Sequence, residues 1–252
     1  MNKALKGNNE EIVYTKILNR KEKFWDVLKY DKDKTFAIHV INKKYGRVNE
    51  EKIQPKADVF FAKGFVSDEY LIKNNYYLDE NDFEIFQLNS IPNSGLSIKL
   101  PNSNYTITKI SPNTFYKIFG SNILAAGSSI YCSKEEEFDK NIDVLVGWDV
   151  DENLFSNYFS EKLKIESKIN LFDKKTLEII KTYSNSKISE IILSSIEKCN
   201  LIFKGIGNFE EPFTANWIIE NDILKPNYYI PFTITTGSGR SKGIYTIVLK
   251  PR

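Results

Sequence analysis

Apolar and polar positions along the chain fall into blocks with two different periods. Residues 10–29 carry Ile12, Val13, Ile17, Phe24, Val27 and Leu28 at roughly helical spacing, which predicts an amphipathic helix. Asn8 or Asn9 stands where a cap is wanted, and Glu10 and Glu11 fall in the first turn, where the helix dipole favours anions. Short apolar runs at 35–41, 57–62 and 95–100 read as strands, the last stopped by Pro101. Alternating aromatics and acids over 75–88 predict one or two further strands, and the hydrophobic run 142–148 predicts another. Ser111-Pro112 starts a helix over 110–119. Helices are also expected over 152–168, 174–183 and 186–199, and strands over 214–220, 228–235 and 244–249.

This order of elements predicts an α/β (α+β) chain with a central mixed sheet flanked by helices. We expect a single domain over 1–252, with a core at about 1–150 and a second part at about 151–252. Hydrophobic residues make up 41% and aromatics 13% of the 252 residues, enough for a sizeable core. No run of eighteen apolar residues occurs, so no membrane span is expected. The segment 1–7 lacks the apolar stretch of a signal peptide, which points to the cytoplasm.

Charge narrows the chemistry. Thirty-five basic residues against 33 acidic ones leave a formal net charge of +2. That excludes a histone-like polycation but allows a basic cleft offset by acidic ligands. Two cysteines, Cys132 and Cys199, and one histidine, His39, argue against a structural zinc site and against disulfide staples. Acid–base work must therefore lean on carboxylates, lysines, tyrosines or a metal. His39 itself lies in an apolar strand and reads as a core histidine.

Two polar residues interrupt otherwise apolar strands: Asp58 in Lys56-Ala57-Asp58-Val59-Phe60, and Lys99 in Leu96-Ser97-Ile98-Lys99-Leu100. A lone carboxylate buried in a strand is costly, so pairing the two positions accounts for both. Carboxylate, lysine and a hard cation together suit phosphodiester hydrolysis.

These residues resemble the PD-(D/E)xK nucleases, the superfamily of most type II restriction endonucleases, whose pattern is an acid on one strand and an acid-x-lysine triplet on the next. Asp58 matches the first acid and Lys99 the lysine. Ser97 stands where the triplet normally has Asp or Glu. The gap from Asp58 to Lys99 is longer than the usual hairpin, so 65–93 is expected to be an insertion or an extra strand pair between the two motif strands. Glu11 aligns with a glutamate on the N-terminal helix of many restriction enzymes that points toward the metal, with Glu10 as a rival. The resemblance covers roughly the first 130 residues. It implies a restriction-endonuclease-like core, cleavage of double-stranded DNA with magnesium, catalytic roles for Asp58, Lys99, Glu11 and Ser97, metal binding by Asp58 and Glu11, and a homodimer. The alternatives left open are a non-catalytic nucleic-acid-binding protein that keeps the nuclease fold and an unrelated soluble α/β enzyme in which Asp58 and Lys99 are coincidental.

Two polar segments are the expected DNA contacts. The stretch 101–109 offers Ser103, Asn104 and Lys109. The glycine-rich 235–243 offers Arg240 and Lys242, but lacks the Walker spacing because Gly243 follows Lys242. The aromatic tract of Phe209, Trp217, Tyr228 and Tyr229 is expected mainly in sheet packing.

Overall fold

The structure, a computed structural model, describes residues 3–41, 47–48, 51–52, 56–99, 105–166, 168–207, 209–237 and 245–252. The chain is α+β, with a mixed sheet flanked by helices. It forms two compact units, one of Met1–Tyr105 and Asn200–Ile230, the other of Thr106–Cys199 and Pro231–Arg252.

The first unit opens with helix α1, Lys3–Asn19. This helix begins earlier than the sequence pattern suggested, so Glu10 and Glu11 lie mid-helix rather than in a dipole-favoured first turn. Strand β1 is Thr35–His39, β2 Val59–Lys63, β3 Leu96–Lys99, β4 Trp217–Glu220 and β5 Ile223–Pro226. Their order in the sheet is the same, β1-β2-β3-β4-β5, with the two-residue strand Asn89–Ser90 also on β2. All neighbours are antiparallel except β3 and β4, which run parallel with Leu96 opposite Trp217 and Lys99 opposite Glu220.

Alternation along these strands sorts side chains between the two sheet faces. Ala37, Val59, Phe61, Leu96, Ile98 and Ile219 pack with Tyr14, Leu18 and Trp25 in one apolar cluster. Phe36, Ile38, Phe60 and Ala62 join Leu71, Tyr76 and Leu78 in the other. α1 is tied to β1 by Asn19, whose side chain accepts from the Ala37 amide (2.8 Å) and donates to the Ala37 carbonyl (2.9 Å). That pair satisfies backbone groups on the outer edge of the sheet.

Between β2 and β3 the structure places helices Asp68–Lys73 and Glu80–Ile85, where strands were expected over 75–88. The capping box made by Asp79 and Asp82 outweighs the β propensity of the neighbouring aromatics. The hairpin from β4 to β5 turns through Asn221 and Asp222, both at positive φ (49° and 61°). Such residues suit a two-residue turn, and β5 went unread in the sequence.

Gly95 leads into β3. A methyl group there would stand 1.8 Å from the Thr214 carbonyl oxygen and 2.5 Å from that of Pro212. Gly95→Ala is therefore expected to push β3 away from the segment leading into β4, at a cost of about 1–3 kcal/mol or more. Chemical denaturation would show it, and an unchanged midpoint would mean that the backbone yields freely.

In the second unit a three-stranded antiparallel sheet, Phe232–Thr236, Ile247–Pro251 and Thr108–Ile110, accompanies a set of helices. The run 142–148, expected as strand, falls in helix Asn141–Gly147 and its C-cap Trp148. Asn141, Val144, Leu145 and Trp148 are buried while Val146 is exposed, which is helical spacing; a short apolar run cannot by itself distinguish the two. Pro112–Phe119 is a helix capped by Ser111, as its sequence signals. Two helices expected over 174–199 are instead the long Lys174–Leu193 and the short Ile196–Cys199. No break occurs at Ser184-Asn185, because Ser184 is buried and Asn185 accepts from Ser128 at 2.5 Å.

Candidate active site

The polar centre lies in the first unit, at the start of β2 and along β3. Asp58 precedes β2, and its backbone is held on both sides: its amide donates to Leu96 (2.8 Å) and its carbonyl accepts from Val40 (2.9 Å). Its carboxylate reaches across to β3. Oδ2 accepts from the Ile98 amide at 2.6 Å and from the Ser97 hydroxyl at 3.0 Å. Ser97 and Lys99 are two apart on one strand and so emerge on one face. The acid is thereby fixed beside the strand that carries the lysine.

Ser97 is 4% exposed. It supplies a donor to Asp58 where an acid in the triplet would have been an acceptor. Lys99 is half-buried, with Nζ 5.4 Å from the centre of the Tyr105 ring. The Tyr105 hydroxyl donates to Glu220 Oε1 (2.5 Å), and Lys225 Nζ donates to Glu220 Oε2 (2.7 Å). Burial pushes the Glu220 carboxyl up, but the Lys225 and Tyr105 hydrogen bonds and the charges of Lys225 and Lys99 outweigh it and hold the group below its usual value. Burial and the bond to Glu220 push the Tyr105 phenol up.

Glu11 enters from α1, on the helix face it shares with Tyr14, Thr15 and Leu18. Its Oε2 lies 3.2 Å from His39 Nε2. Burial raises its pKa, the bond to His39 opposes that, and Asp58 adds a further upward push while Lys99 acts downward. The charges of Asp58 and Lys99 thus both reach Glu11. A carboxyl with a raised folded pKa binds its proton more tightly folded than unfolded, so it lowers stability as pH rises from 4.5 through the folded value. Glu11→Gln is therefore expected to melt higher than the parent at pH 7 without metal, and alike at pH 4. An unchanged melting temperature at pH 7 would show that Glu11 carries no such strain.

Sequence reasoning missed Lys56, Glu220, Tyr105 and the partner of His39. Lys56 stands two residues before Asp58, a spacing that could have flagged it. Burial, with the charge of Lys99 adding to it and that of Asp58 opposing it, lowers the Lys56 amine to about 7. His39 is 1% exposed, as a core residue should be, but its Nε2 faces Glu11 and its Nδ1 has no hydrogen-bond partner among the described residues.

Of the other expected contacts, Ser103, Asn104, Arg240 and Lys242 lie outside the described residues. Lys109 is exposed on Thr108–Ile110 of the second unit. Tyr228 and Tyr229, expected in packing, are 69% and 51% exposed. Lys204 Nζ sits 4.8 Å from the Tyr228 ring centre, and the Tyr229 ring packs on Phe203. Gly205, next to Lys204, approaches the Lys56 side chain so closely that a methyl group there would lie 3.0 Å from Lys56 Cβ. Gly205, which follows the lysine beside Tyr228, thus packs against the segment that carries Asp58.

Among the described residues no cluster of three or more His, Cys, Asp or Glu side chains could hold a metal ion. The charge of Asp58 reaches Glu11, and neither Asp58 Oδ1 nor Glu11 Oε1 has a hydrogen-bond partner among the described residues. Two hard oxygen donors fit magnesium, which keeps several waters and completes its shell with substrate phosphate. No helix among the described residues is long and apolar enough to cross a membrane. Comparison with protein-family models, with curated proteins and with solved structures returns no match.

Proposed function

We propose that the protein is a magnesium-dependent DNA endonuclease of the PD-(D/E)xK kind, with a restriction-endonuclease-like core in its first unit and a type II, site-specific mode of cutting. The observation that carries this reading is the anchoring of the Asp58 carboxylate on the Ser97-Ile98 segment of β3, beside Lys99 and within electrostatic reach of Glu11. Asp58 stands just before β2 and Lys99 on the adjacent strand β3, which supports the reading although 65–93 lies between them in sequence.

Asp58 and Glu11 would hold the ion. Magnesium, when bound, supplies Lewis acidity toward a phosphoryl oxygen. Lys99 holds a positive charge where negative charge grows on the phosphate. Ser97 and the Ile98 amide fix the Asp58 carboxylate through Oδ2, while Oδ1 accepts no hydrogen bond among the described residues. The test is digestion of a long unmethylated duplex of varied sequence, with magnesium and with EDTA. Discrete fragments with magnesium alone support the reading; no cutting in either condition at full protein excess overturns it.

One observation favours the binding-only alternative: the triplet acid is a serine, and no three-ligand cluster stands among the described residues. Retained duplex binding without cutting would select it.

Tyr228, Tyr229 and Lys204 extend the same surface toward DNA. Tyr228→Ala with Tyr229→Ala is expected to weaken duplex binding on the order of tenfold. Lys204→Ala is expected to lower the slope of log affinity against log salt by about one. Parental affinity in both variants across a salt series would remove this surface from the interface.

A further inference from the structure

Lys99 and Glu220 are register partners on the parallel strands β3 and β4, opposite charges at one level of the sheet. Such neighbours ordinarily pair. Here Lys99 forms no ion pair and no hydrogen bond with a side chain among the described residues, and its ammonium lies over the Tyr105 ring. Both Glu220 oxygens are already taken, Oε1 by the Tyr105 hydroxyl and Oε2 by Lys225. The downward push of Lys99 on the Glu220 carboxyl shows that the two charges feel each other without touching.

We infer that Tyr105 and Lys225 are positioning residues that occupy Glu220 and so keep it from capturing Lys99, leaving that ammonium available to an incoming phosphate. Tyr105 acts twice: its hydroxyl takes one carboxylate oxygen, and its ring face gives the ammonium a resting place that does not cancel its charge. Lys225 takes the other oxygen from the hairpin strand β5. The arrangement places a carboxylate beside the site without letting it neutralise the site. The kinetic consequence rests on the nuclease reading, whereas the contact pattern does not.

The discriminating variant is Tyr105→Phe, which keeps the ring and removes only the hydroxyl that holds Oε1. A freed Oε1 is expected to draw Lys99 into a direct ion pair. In the crystal structure of the variant Lys99 Nζ should then lie within salt-bridge distance of Glu220. The single-turnover rate of cutting should fall by about tenfold or more, because a donor to the developing charge is withdrawn, with little change in KM for DNA. Adding Glu220→Gln to Tyr105→Phe should restore the rate, since a neutral amide no longer holds the ammonium. A merely structural role would give no rescue.

Three outcomes overturn the inference: Tyr105→Phe that cuts at the parental rate, a double variant as slow as the single one, or a variant structure in which Lys99 stays over the ring. Failure of the nuclease reading looks different. There the parent does not cut, or Asp58→Asn cuts as well as the parent, and the variant structure alone then decides whether Tyr105 keeps Lys99 from Glu220.

Discussion

Asp58→Asn is expected to lose metal-dependent cutting on the order of a thousandfold, while its fold and DNA affinity stay near those of the parent. The amide oxygen can still accept from the Ile98 N–H and the Ser97 hydroxyl, so the two short contacts to β3 survive. What changes is the outward atom, where an NH2 donor replaces an oxygen that can face a cation. Asp58→Ala is a blunter probe, because it also strands the Ile98 amide and costs about 1–3 kcal/mol of stability. Rates and thermal melts measured together separate the two effects. Cutting by Asp58→Asn within tenfold of the parent would remove Asp58 from the chemistry.

Ser97→Glu is the second substitution with a large expected effect, and its sign depends on metal. The serine is buried and donates to Asp58. A glutamate would replace that donor with a further negative charge next to Asp58. Without metal, like charges and desolvation are expected to lower the melting temperature by several degrees, as a loss of about 1–2 kcal/mol does in a domain of this size. With magnesium the added oxygen becomes a ligand. The ion should bind at least about tenfold more tightly and raise the melting temperature more than it does in the parent, by mass action. Calorimetric titration settles the matter: equal magnesium affinity in the two proteins would mean that position 97 does not face the ion.

Asp58 and Lys99 were legible because each breaks an apolar strand, and a broken pattern needs no distant information to be noticed. The strands around them were legible for the same reason, as was the helix after Ser111, whose cap is written locally. Glu11 was found through the resemblance, but its reason was misplaced: it sits mid-helix against His39, not in a first turn. Tyr105 and Glu220 were invisible because their meaning lies in a parallel pairing between segments far apart in the chain, for which a single sequence carries no local sign. The stretch 141–147 shows the opposite failure. Its hydrophobicity was plain, yet only the burial of Asn141, Val144, Leu145 and Trp148 reveals its period.

The parallel pairing of β3 with β4 also bears on when the protein becomes complete during synthesis. Everything in 106–199 must leave the ribosome before Trp217–Glu220 can dock beside Leu96–Lys99. Until then β3 presents an unpaired edge, a template for wrong partners, and a contact so distant in sequence forms slowly. Tyr105 meanwhile has no Glu220 to hold, and Lys99 has no rival beside it. A nascent chain therefore carries Asp58 and Lys99 long before it carries Glu220 and the strand that stands beside Lys99, and a ribosome that stalls before residue 217 releases a chain without that pairing.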